Sequence, residues 1–117
     1  VKEILEDVPR VFPALMRTQK IISKMEKEQL LRCDYEVVKE ALQKCLKTLD
    51  FTVENGSLER MEESIGEMLF EVAKMACILE LNAENSLTNA TTALRTSALN
   101  VEQDPVQDST IISRASV

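Results

Sequence analysis

Apolar residues recur at three-and-four spacing along most of the chain, the period of an amphipathic helix. The clearest run lies between Ser57 and Leu81. There Leu58, Met61, Ile65, Met68, Leu69, Val72, Ala73, Ala76 and Leu79 share one helical face, which predicts a core-facing side. On the same helix Glu59, Glu63, Glu67 and Glu71 repeat every fourth residue and form an acidic stripe. Like charges at that spacing repel, so either solvent or a cation must screen them.

The rest of the pattern predicts three more helices. Pro9 and Pro13 bias the residues before them toward extended backbone, so 1–12 reads as an extended leader. Pro13 suits the first turn of a helix that runs to Leu31, with Leu15, Ile22 and Met25 on one face. Asp34 is a good N-cap for a second helix, Tyr35–Leu49, whose inner face is Val38, Ala41, Leu42, Cys45, Leu46 and Leu49. The run Phe51-Thr52-Val53, with β-branched Thr52 and Val53, predicts fraying, and Glu54 to Ser57 reads as a turn with Ser57 capping the acidic helix. Asn82 then caps a fourth helix to Leu99, carrying Leu87, Ala90, Leu94 and Ala98. The polar, unpatterned residues 103–117 read as a mobile tail.

Composition fits this helical plan. The chain has 117 residues, 44% apolar but only 3% aromatic, with two Gly and three Pro, so its core is aliphatic and tight turns are few. Four helices with short links predict an all-α bundle over 13–102. A core softened by Met61, Met68 and Met75 is marginal alone, which favours a homodimer. A net charge of −6 without a long basic run argues against nucleic acid as a partner. No apolar run reaches the ~18 residues of a membrane span. Cys33, Cys45 and Cys77 form no CxxC pair and there is no histidine, which argues against zinc and for a reducing, cytoplasmic setting. The chain begins at Val1, which reads as a piece of something longer.

With the helices placed, the chain resembles the MazG family of nucleoside triphosphate pyrophosphohydrolases. The opening Leu5 to Ile21 (LEDVPRVFPALMRTQKI) is similar to the segment that introduces the second MazG domain of two-domain members. Asp34-Tyr35 stands where the family has Asp-Trp, and the stretch Gly56 to Leu87 follows the family's acidic, glycine-containing helix and next cap. The similarity covers residues 5–102 and includes Gly66. It implies a four-helix, dimeric MazG-like bundle, with Mg²⁺ as cofactor and a nucleoside triphosphate as partner.

In that family an E-x-x-E pair on the second helix and an E-x-x-D pair on the third hold Mg²⁺, which neutralises charge on the triphosphate and activates water. Carried onto this sequence, the first pair falls at Ala41 and Lys44 and the second at Ser64 and Glu67. Only Glu67 remains acidic. Late in the fourth helix, where the family has an Asn, a Lys and paired Arg, this chain has Thr91, Ala93, Thr96 and Ser97.

Three readings of the site follow. A one-residue shift lets Glu40, Glu63 and Glu67 form a relocated Mg²⁺ site in an active pyrophosphohydrolase. The Lys44 ammonium stands in for the metal beside Glu63 and Glu67, in a non-catalytic module that dimerises or binds nucleotide weakly. The glutamates are a solvated helix face, with no cofactor at all.

Overall fold

Two short polar side chains set where the middle helices begin. In the computed structural model Asp34 and Ser57 are both extended, and their oxygens accept from the Glu36 and Arg60 N–H groups at 3.0 and 3.3 Å. Each thereby satisfies a donor that the first helical turn leaves orphaned. The structure describes residues 8, 9 and 11–103. These comprise α1 (Ala14–Lys27), α2 (Tyr35–Asn55), α3 (Leu58–Ile78) and α4 (Ala83–Gln103), with no strand among the described residues. The protein is all-helical, and none of the described helices is long and apolar enough to cross a membrane. Of the leader, Val8, Pro9, Val11 and Phe12 are described and Val8 is buried. The tail lies outside the described residues except for the helical backbone of Gln103.

The chain divides into two units, Val1–Ala83 and Glu84–Val117. In the first, α2 and α3 pack along each other as an antiparallel hairpin, and α1 packs on α3. Ile22 of α1, Val38 of α2 and Ala73 of α3 are the most completely enclosed side chains. Gly56 links the hairpin at close quarters, since a Cβ there would lie 2.7 Å from the Thr52 carbonyl oxygen. Gln19 ties α1 to the end of α3: its amide donates to the Leu81 carbonyl at 2.8 Å and its oxygen accepts from the Ala83 N–H at 2.7 Å. The second unit holds α4 from Glu84 onward.

Several helix ends differ from the sequence pattern. The first helix stops at Lys27, not Leu31. Gln29 adopts the left-handed region (φ 59°), its N–H bonds to Glu26 and the Leu30 N–H bonds to Met25. That pair of bonds is a Schellman close, which satisfies the last carbonyls without a glycine. The same device ends α3 at Ile78: Glu80 has φ 58°, and the Glu80 and Leu81 N–H groups bond to Cys77 and Ala76. In α2 the helix continues through Phe51-Thr52-Val53 to Asn55. Thr52 is buried and its hydroxyl donates to the Leu49 carbonyl at 2.9 Å, so packing overrides weak propensity. α4 runs one turn past Leu99, to Gln103.

The main correction concerns which face of α3 is inside. Met61, Ser64, Met68, Glu71, Met75 and Ile78 are buried or half-buried, a three-and-four line, and of the expected face Met61, Met68, Ala73 and Ala76 lie inward. Leu58, Ile65, Leu69, Val72 and Leu79, expected in the core, are exposed. On α2, Leu46 is exposed as well, while Thr52 takes an inward position.

Candidate functional site

The α2–α3 hairpin carries every position at which the sequence suggested metal chemistry. On α2, Ala41 is half-buried and Lys44 is exposed; on α3, Ser64 is 5% exposed and Glu67 is exposed. Ala41 offers no donor atom and Lys44 brings a positive charge. Ser64 brings one hydroxyl, and Glu67 is the one carboxylate of the set. Glu40 and Glu63 are also exposed. Among the described residues, no group of three or more acidic or cysteine side chains has the spacing of a metal site. No ion pair among them joins Lys44 to Glu63 or Glu67.

The acidic stripe splits in two. Glu59, Glu63 and Glu67 face solvent, while Glu71 lies on the inward line. A cation does screen this last carboxylate, and it comes from the same helix. The Lys74 ammonium sits 3.1 Å from Glu71 Oε1, with both side chains about 85% buried, and 5.0 Å from the centre of the Phe70 ring. Glu71 Oε2 is buried without a hydrogen-bond partner. The three-residue spacing puts the pair on one helical face, and Phe70 adds a cation–π contact to an ammonium already removed from water. Sequence reasoning placed Glu71 in the stripe but did not place Lys74 in the interior. The available signal was that Glu71 continues the line Met61, Ser64, Met68 by threes and fours.

The thiols around this hairpin are poor nucleophiles. Burial pushes the Cys33 thiol up to about 11, and Glu26 adds to the shift both by its charge and by a hydrogen bond. Burial raises Cys45 too, helped by the charges of Glu71 and Glu67. A thiol held protonated at neutral pH neither attacks nor ligates readily. Cys77 lines a separate cavity of about 690 Å³, between α1 and the end of α3, with Val8, Phe12, Met16, Gln19 and Leu81. None of the proposed metal ligands borders that cavity.

The residues at the matched positions do not fit Mg²⁺. That ion takes about six oxygens in near-ideal octahedral geometry, usually anchored by more than one carboxylate. Here one exposed carboxylate, one buried hydroxyl, a methyl group and an ammonium occupy the four places. No protein-family model matches the chain, and a search of curated proteins found no match.

Proposed function

We propose that the chain is a MazG-like helical module without the family's metal chemistry, acting by self-association within a larger assembly. The observation that carries this reading is the donor set on the hairpin. Ala41, Lys44 and Ser64 stand where the resemblance calls for three carboxylates, and the interior carboxylate Glu71 already has its counter-charge in Lys74. A displacement at a triphosphate requires strong neutralisation of developing charge, and this face supplies exposed glutamates instead.

Two measurements test it. Incubated with Mg²⁺ and each common nucleoside triphosphate, the protein is expected to release no pyrophosphate above the blank. Turnover that Glu67→Gln abolishes would establish a pyrophosphohydrolase in its place. Thermal melting with Mg²⁺ or with chelator is expected to give one midpoint. A rise of several degrees with Mg²⁺ would show a surviving metal site and overturn the reading.

A further inference from the structure

The cavity between α1 and the end of α3 takes no part in the proposed function. Its volume of about 690 Å³ falls within the roughly 300–1,000 Å³ typical of small-molecule sites. The described residues that border it all belong to the unit Val1–Ala83.

One wall is a single face of α1. Met16, Gln19, Lys20, Ser23 and Lys24 follow the three-and-four spacing of one helical side, and all five border the cavity. Gln19 ties this wall to the other. Its amide bonds to the Leu81 carbonyl and the Ala83 N–H at 2.8 and 2.7 Å reach from α1 to the chain after α3. The Cys77 thiol adds weaker contacts to the Gln19 amide nitrogen at 3.6 Å and to its carbonyl at 3.8 Å. Walls held in this way are in place before a ligand arrives, which lowers the ordering cost of binding.

The lining is divided by chemistry. Val8 is buried, and Phe12, Met16 and Cys77 are half-buried, which gives an apolar surface. Lys20 and Ser23 are exposed, and half-buried Lys24 follows Lys20 by one turn. The Lys20 ammonium lies 5.1 Å from the centre of the Phe12 ring, so a cation stands directly beside the apolar surface. Glu80 is the one carboxylate among the described bordering residues, and the two lysines outweigh it.

We infer that this cavity binds an amphipathic organic anion, an apolar body ending in one carboxylate or sulfonate. The apolar body lies against Val8, Phe12 and Met16. The anionic end meets the Lys20 ammonium, with the Ser23 hydroxyl as a second donor. A bare inorganic anion leaves the apolar wall uncovered, and a neutral hydrocarbon forfeits the ammonium. The site shares no residue with the hairpin positions on which the proposed function rests, so the two ideas fail separately.

Decanoate is the probe, titrated calorimetrically into the full chain at neutral pH. Saturable binding is expected with Kd on the order of 100 µM, given the ligand's size. Lys20→Met removes the charge but keeps a long side chain, and is expected to weaken binding about tenfold with unchanged circular dichroism. Met16→Trp is expected to abolish binding by filling the cavity, while Leu69→Ser on the exposed side of α3 leaves it unchanged. No saturable heat with decanoate in the millimolar range overturns the site. So does a Lys20→Met variant that binds like the wild type, or a Leu69→Ser variant that weakens binding as much as Lys20→Met. Inorganic phosphate binding as tightly as decanoate overturns the amphipathic class of ligand.

Discussion

At the scale of single residues, the Glu71–Lys74 pair shows how a polar group can sit inside a small helical unit. Two charges taken from water are costly, and their attraction offsets that cost only while both remain. Glu71 Oε2, buried with no hydrogen-bond partner, makes the carboxylate especially dependent on Lys74. Lys74→Met is therefore expected to destabilise the fold by about 2 kcal/mol, while Glu71→Leu with Lys74→Met costs less than either single change. Urea denaturation of the three variants checks this. Additive losses would mean that the pair carries no coupling. Cys33 offers a titration test. Its thiol deprotonates at about 11 when folded against 9.0 as the ordinary value, so between these pH values the unfolded chain has lost a proton that the folded one keeps. Stability must then fall as pH rises from 9 to 11. The chain with Cys33→Ser is expected to lose less stability over that window, measured by denaturant midpoints.

At the scale of elements, the helix ends hold recoverable stability. Gln29 and Glu80 both sit at positive φ in Schellman closes, where a side chain costs roughly 1 kcal/mol relative to glycine. Glu80→Gly is expected to stabilise the fold by about that amount, read as a higher denaturant midpoint, and an unchanged or lower midpoint would show that the Glu80 side chain compensates elsewhere. The starts of α2 and α3 were legible because Asp34 and Ser57 stand at the right distance before periodic apolar runs. The facing was legible on α1 and for most of α2, and only in part on α3, where Met61, Met68, Ala73 and Ala76 lie inward as expected and Leu58, Ile65, Leu69, Val72 and Leu79 do not. Along α3 two neighbouring lines compete, one rich in Leu, Ile and Val and one carrying Ser64 and Glu71. Hydrophobicity ranks the first as core, yet the second is the line that is buried or half-buried. Periodicity reports that a line is to be covered, and is silent on whether its own chain or a second copy covers it. The candidate site was legible only as a set of positions, because Lys74 reads as a surface charge until Glu71 is seen to lie inside. Gly66 sits in the middle of α3, where a Cβ would meet nothing within 4 Å. Gly66→Ala is expected to stabilise the fold by about 1 kcal/mol, measured by urea denaturation, and a loss of stability would show that the position needs its glycine.

At the scale of the whole molecule, charge works against the self-association proposed above. Each copy carries −6, and bringing two copies together opposes that charge. Salt screens exposed charges and leaves apolar burial in place. Self-association driven by apolar surface is therefore expected to tighten several-fold between about 50 mM and about 500 mM NaCl, read by sedimentation at each concentration. A contact built on opposite charges responds in the other direction, because salt weakens attraction as it weakens repulsion. A chain that stays monomeric at both concentrations overturns the self-association part of the proposed function.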